Sequence, residues 1–422
     1  MSSDSRTPCA ARKRAVRSAT TLARGVPGAA NLKAMDHLPP LPSSVLPAGV
    51  RARFVDGVNG LRVHVLEAGH DTPDRPLLLL LHGFPELAYS WRRLLGPLAA
   101  AGYHVVAPDQ RGYGRTTGWS DSYDQDLRPF SLLRLAADAR ILVHALGHDA
   151  AHAVIGHDFG SPVAAWAALT RPDIFRAVAL MSAPFAGAPR LAPPGDAAPQ
   201  PGWLAGPADA LARGLAALPR PRKHYQWYYA TREADADMRN APQGIRNFLR
   251  AYFHHKSADW PGNTPFPLRD DSPEQLALMP TYYIMDLDRT MAETVAPFMP
   301  GRDTADACSW MRGDELDVYA GEFARTGFQG GLNWYRTRFA PEIAADFQLH
   351  AGRRIDVPAL FVAGRSDWGV FQVPGALEAM RTSACGRFLG CHIVEGAGHW
   401  VMQEKPEAVL DALLAFLSAA KT

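Results

Sequence analysis

Five consecutive leucines, Leu77–Leu81, followed by His82 and Gly83, constrain this chain more than any other stretch. The run is far too short to cross a bilayer, which takes about 20 apolar residues. It also lacks the polar alternation of a strand with one wet face. A strand buried on both faces fits, and such strands belong to parallel sheets covered by helices. The neighbouring segments agree. "RARFVDG" and "LRVHVLEAG" read as a hairpin around the turn "DGVNG". After the leucines come a helical "SWRRLLGPLAAAG", the strand "YHVVAPD", a helix over 132–146, the strand "AHAVIG", a helix after Gly160 and the strand "RAVALMSAP". This alternation predicts an α/β fold, with a mostly parallel sheet and helices on both faces.

The pattern breaks after Pro184. "APRLAPPGDAAPQPG" reads as a linker, and the following stretch, to about Ala340, carries aromatic-rich helical patterns without strand-like runs. "PALFVAG", "RFLGCHIVEG" and an amphipathic helix from Pro406 to about Leu417 then resume the α/β pattern. The expected organisation is a disordered basic arm over 1–45, a core over 46–185, an inserted helical cap with its Pro-rich linker over 186–345, and the rest of the core over 346–422.

Composition excludes several classes. The 422 residues are 47% hydrophobic, enough for one large core with an insertion. The 44 basic and 42 acidic residues leave a formal charge of +2, too small an excess to point to nucleic acid. Seven basic residues against Asp4 alone give the first 33 residues +6 and leave −4 for the remainder. That start is rich in Ala, Ser and Thr, without the apolar run of a secretory signal; its Arg- and Ser-rich composition imitates an organellar transit peptide, but a dispensable tail or a start codon placed too early is the preferred reading. Cys9, Cys308, Cys385 and Cys391 have no C-x-x-C spacing, so neither disulfides nor a zinc site are expected, and a reducing, cytoplasmic setting fits. No cofactor is expected, since neither G-x-G-x-x-G after a strand nor a P-loop occurs. The adjacent His254 and His255 point different ways on a helix and are expected at its surface rather than on a metal.

The chemistry starts at "VIGHDFGSP", Val154–Pro162. A strand, a tight Gly-x-Asp-x-Gly turn and a helix make a nucleophile elbow, with Asp158 where a serine usually stands. Alone the signal is weak, because Asp between glycines is common in loops. Asp367 in "VAGRSDWG" and His399 in "EGAGHWVMQEKPEAV" strengthen it: nucleophile, acid and histidine follow in the chain order of this architecture's triad, each past a strand end. Asp367 as a turn cap and His399 as a surface histidine are the plain readings of each alone. In "LLHGFPE", the Phe84 N–H is placed to form an oxyanion hole with that of Phe159, and Phe84-Pro85 is a candidate cis bond. Ser161 follows the elbow and points into the helix, which argues against a serine esterase. A carboxylate displaces leaving groups from saturated carbon and forms an alkyl ester; water, deprotonated by His399, then cleaves that ester at the aspartate's own carbonyl.

Taken in order, "HGFP", "RGYG" (Arg111–Gly114), "GHDFGS", "GLNWYR" and "GAGHWVMQEKPE" resemble the α/β-hydrolase-fold epoxide hydrolases over almost all of the chain after residue 50. The resemblance implies a capped core with Asp158 as nucleophile, His399 as base, Asp367 as its orienting acid, and a pair of cap tyrosines that open the epoxide. The first tyrosine lies in a Tyr-Gln pair, matched by Tyr225-Gln226 in "KHYQWYYA", where Tyr228 and Tyr229 compete for the assignment. The second is matched by Tyr335 in "GGLNWYRTRF", and Trp227, Tyr283 and Trp334 read as packing.

The leaving group separates the remaining readings. An epoxide opens to a basic alkoxide that needs a proton, which tyrosine keeps at neutral pH; a halide needs none. Haloalkane dehalogenases place a tryptophan after the nucleophile and fluoroacetate dehalogenases an arginine, and Phe159 matches neither, although some epoxide hydrolases also carry tryptophan there. Conversion of a hydrophobic epoxide and water to a vicinal diol is therefore the first reading, a dehalogenase of the same fold the second, and a non-catalytic ligand-binding relative the third. The pocket is expected between core and cap, lined by His82, Phe84, Pro85, Trp91, Phe159, Gln226, Trp368 and Trp400. The other expectations are a monomer or homodimer, no nucleic acid and no membrane insertion. The stretch "AETVAPFMPGRDTADACSWMRGDE" bears on access to that pocket.

Overall fold

The leucine run forms the third of eight strands in one mixed sheet. In chain order the strands are β1 (Arg51–Val58), β2 (Leu61–Ala68), β3 (Leu77–Leu81), β4 (His104–Pro108), β5 (Ala151–His157), β6 (Val178–Met181), β7 (Arg222–His224), β8 (Ile284–Asp286), β9 (Ile355–Gly364) and β10 (Cys385–Val394). The large sheet runs β1-β2-β4-β3-β5-β6-β9-β10. From β4 to β10 its neighbours pair in parallel, and the β1–β2 hairpin closes one edge antiparallel. All five leucines of β3 are buried, as a strand with parallel neighbours and two covered faces requires.

This computed structural model describes residues 38–190 and 210–420. The greater part of the predicted arm, Cys9 within it, and residues 191–202 of the Pro-rich linker lie outside them. The end of the arm is different from the expectation. Ser43–Val45 form a 3-10 turn, and buried Leu41 donates its N–H to His64 Nε2 at 3.2 Å, so the structured chain begins before residue 46. Prolines on either side hid this from a reading by periodicity. The hairpin turn is also shorter than "DGVNG": β1 continues to Val58 through a bulge, and Asn59 and Gly60, with φ of 52° and 80°, make the turn alone.

Three helices follow the strands closely: α1 (Arg92–Ala100), α2 (Leu132–Ala145) and α3 (Gly160–Thr170). Ser131 starts α2 by accepting the Arg134 N–H. The insertion carries α4 (Tyr225–Tyr229), α5 (Gly244–Lys256), α6 (Gly313–Thr326) and α7 (Gln329–Arg336); the chain closes with α8 (Val401–Glu404) and α9 (Pro406–Ala419). It is not purely helical, since β7 and β8 pair antiparallel through three residues each, too few for a period-2 pattern to register in the sequence. Among the described residues, no helix is long and apolar enough to cross a membrane. The carboxyl ends of β3, β5, β9 and β10 lead into Phe84, Asp158, Asp367 and His399, the edge where open parallel sheets place their sites.

Candidate active site

Asp158 follows β5 directly and holds φ at 50°, a left-handed conformation costly for a non-glycine residue. The chain tolerates it because the turn is crowded by backbone. A side-chain carbon at Gly156 would stand 2.1 Å from the Gly160 carbonyl oxygen, and one at Gly160 would stand 2.2 Å from that of Leu81. The result lifts the carboxylate off the sheet. Phe84, next to a cis bond to Pro85, donates its N–H to Asp158 Oδ1 at 2.9 Å. Oδ2 faces His399 Nε2 at 3.3 Å, without the alignment of a hydrogen bond. His399 Nδ1 lies 3.0 Å from Asp367 Oδ1, and that oxygen also accepts the Gly369 N–H at 2.7 Å. The expected triad is thus assembled. Of the two expected oxyanion donors, the Phe84 N–H reaches the carboxylate; among the described residues the Phe159 N–H makes no bond to it.

Burial alone would raise the Asp158 carboxyl. His399 beside it, with Lys256 and His157 nearby, holds it well below the usual carboxylate range, so it stands ionised. Asp367 is likewise opposed by burial and held low by His399, Ser182 and the Gly369 N–H.

Two tyrosine rings from the insertion lie side by side here. Tyr225 Oη donates to Gln372 Oε1 at 3.0 Å and accepts from Gln226 Nε2 at 3.0 Å. The Tyr335 ring stands edge-on to Phe84 and Phe159, at 5.5 and 4.9 Å, and 5.9 Å from the Tyr225 ring. Burial first and the Asp158 charge second raise both phenols, so both keep their protons. Tyr228 donates to Asp237 Oδ2 and Tyr229 to Tyr252 Oη; what sets Tyr225 apart from both is the Asp158 charge acting on its phenol.

Several expected pocket residues have other work. His82 is fully buried, with Nδ1 on the Gly83 carbonyl at 2.9 Å and Nε2 accepting the Gln110 N–H at 3.1 Å; it braces the turn and has no nitrogen left for a substrate. Trp400 donates to the Phe253 carbonyl and sets its ring 4.6 Å from His399, packing the base. Gln226 is held by Tyr225, Trp91 is fully buried, and Trp368 meets Phe266 at 5.0 Å. Ser161 donates to the Ala183 carbonyl, and Trp334 to that of Arg111. His255 is not at the surface: it is fully buried and stacks 3.5 Å from Phe298, and burial drives its pKa to about 3. Among the described residues no three metal-ligating side chains cluster, and the cysteines Cys308, Cys385 and Cys391 are free. A surface cleft of about 670 Å³, lined by Val45, Tyr89, Arg312 and Glu407, does not include Asp158, Asp367 or His399.

An alpha/beta hydrolase fold family model matches residues 76–259. Epoxide hydrolase A of Mycobacterium tuberculosis is 36% identical over 377 residues, which span 87% of this chain and 97% of that protein. The chain belongs to the epoxide hydrolases of the α/β-hydrolase fold. An epoxide hydrolase of Caballeronia sordidicola is 31% identical over 85% of this chain and 91% of its own. The solved structure of an epoxide hydrolase from an endophytic Streptomyces superposes with a TM-score of 0.69 at 32% identity, covering 89% of this chain and 97% of that one.

Within this epoxide hydrolase, three features escaped the sequence reading. Ser182, past β6 with φ of 68°, brings Oγ to 2.9 Å from His399 Nδ1. Glu86 and His157, both fully buried, pair at 2.7 Å, and His157 Nε2 meets the His399 carbonyl at 2.7 Å. Lys256 is buried with Nζ over the Tyr252, Tyr282, Tyr283 and Trp400 rings at 4.8 to 5.7 Å. Glu86 and His157 flank motifs already singled out, so a charge inside "HGFPE" and another beside the nucleophile were available signals. Ser182 and Lys256 have none.

Proposed function

We propose that Asp158 attacks a carbon of a hydrophobic epoxide while Tyr225 and Tyr335 hydrogen-bond the ring oxygen and supply its proton. The C–O bond breaks as the ester bond to Asp158 forms. Water then adds to Asp158 Cγ and gives a proton to His399, oriented by Asp367. The oxyanion rests on the N–H of Phe84, joined by that of Phe159, until collapse expels the diol alkoxide and leaves Asp158 as a carboxylic acid; the two protons, one on His399 and one on Asp158, then pass to the alkoxide and to the tyrosinate, which restores all four groups. One observation supports this reading above the rest: the ionised Asp158 carboxylate holds the Phe84 N–H on one oxygen and faces His399 Nε2 at 3.3 Å with the other, and two protonated phenols feel its charge. Phe84, Phe159 and Tyr335 give the substrate an apolar wall. The test is diol formation from terminal, internal and aryl epoxides, run beside matched haloalkanes, with wild type and Asp158→Ala. Diol that disappears in Asp158→Ala is expected; halide release without diol would overturn the reading.

A further inference from the structure

The base sits in a loop whose backbone is tied to the insertion by one side chain that the chemistry above leaves unused. Glu404, at the end of α8, accepts three backbone N–H groups: Gly398 and Ala258 on Oε2 at 2.9 and 2.8 Å, and Trp400 on Oε1 at 2.9 Å. Gly398 and Trp400 flank His399, and the His399 N–H itself donates to the Lys256 carbonyl at 3.0 Å. Three consecutive amides are therefore held, two by Glu404 and one by the last residue of α5. Contact between loop and helix end is direct, since a side-chain carbon on Gly398 would stand 2.5 Å from Ala258 N. Burial, aided by Asp259 and opposed by the three amides, pushes Glu404 up to about 7, so keeping a carboxylate here is costly. A charge-assisted acceptor for several amides is what that cost secures.

We propose that Glu404 is a positioning residue for the ester-cleaving step: it locks Gly398–Trp400 to the carboxyl end of α5, so that His399 Nε2 is aimed at the water attacking Asp158 rather than free to rock. The proposal rests on the two-step reading above. Alkylation needs Asp158 and the tyrosines, which Glu404 does not touch; hydrolysis needs the base in place. A displacement of about 1 Å costs about 100-fold in such a step.

The test uses the full chain and styrene oxide as probe, comparing wild type, Asp158→Ala and Glu404→Gln. An amide side chain presents one acceptor and one donor, so Glu404→Gln keeps size and loses one side of the clamp. The expected result is alkylation within about 3-fold of wild type, kcat lower by about 10- to 100-fold with KM falling alongside, and intact protein carrying the mass of one epoxide during turnover. Backbone amide exchange over 396–401 and 256–260, measured without substrate, is expected to rise together. Equal loss of alkylation and hydrolysis, or unchanged kcat, overturns the proposal, and so does unchanged exchange. Absence of Asp158-dependent diol in wild type overturns the two-step reading instead, and the exchange measurement still decides the clamp. If Glu404→Gln does not fold, Glu404→Asp, one methylene short, is read by the same criteria.

Discussion

Single side chains divide the two chemical steps. His399→Gln removes the base and leaves Asp158 in place, so the alkyl ester is expected to form and persist, read as a mass increase of the intact protein after mixing with an epoxide. No increase would count heavily against the mechanism. Tyr335→Phe deletes a proton donor, and epoxide opening is expected to slow by about 100-fold, within the usual worth of acid catalysis, as measured by single-turnover diol formation. The buried Glu86–His157 pair predicts a pH dependence of stability. Burial alone would lower His157, but Glu86 outweighs it and raises the imidazole from 6.5 to about 9. The folded chain thus holds a proton that the unfolded chain releases, so this stabilisation is complete below about pH 6.5 and is lost as pH rises through about 9. Melting temperature is expected to drop across that interval. In His157→Gln the drop should flatten while the whole curve lies lower; an unaltered slope would assign the dependence elsewhere.

Among the elements, α7 is the one whose position the active site depends on most directly, because it carries Tyr335. It approaches the "RGYG" turn backbone to backbone: a side-chain carbon on Gly330 would lie 2.0 Å from the Gly112 carbonyl oxygen, and one on Gly112 would lie 2.6 Å from the Gly330 carbonyl. Gly330→Ala must therefore push α7 away from the core. A loss of about 1–3 kcal/mol by urea titration is expected, with kcat reduced in the same variant because Tyr335 moves with its helix. Unchanged stability would mean that the two segments part easily. Both glycines lie in stretches singled out from the sequence, "RGYG" and "GGLNWYR", but their pairing spans more than 200 positions. Residue type alone announced two tight places, not that they are the same place.

For the whole molecule, the joint between insertion and core is polar and buried at Arg92. This side chain, 2% exposed, reaches Glu315 Oε1 at 3.0 Å, Gln403 Oε1 at 2.7 Å and the Trp310 carbonyl at 2.9 Å, joining α1, α6 and α8. Arg92→Met would leave Glu315 buried with Arg93 at 3.1 Å as a weaker partner. A cost of about 3 kcal/mol is expected, seen as a lower urea midpoint. A midpoint equal to wild type would show that apolar contact alone carries the joint. The stretch expected to bear on pocket access holds Trp310 and Glu315, so part of it serves this joint. Local signals sufficed for the interior strands β3 to β6 and β9, because a buried parallel strand must be apolar throughout, and they singled out Asp158, Asp367 and His399, because each sits past a strand end with small neighbours. The fold class was thus legible from residue order alone, and so were the three residues that the fold brings together at one sheet edge. The folded chain alone reveals that Tyr225 Oη meets Gln226 and Gln372 while Tyr228 and Tyr229 meet Asp237 and Tyr252, that Ser182 and Asp367 share His399 Nδ1, that His82 braces a turn, and that Glu404 ties the His399 loop to α5. Each of those outcomes depends on where a hydroxyl, imidazole or carboxylate finds its partner, and partners far apart in the chain leave no periodicity to read.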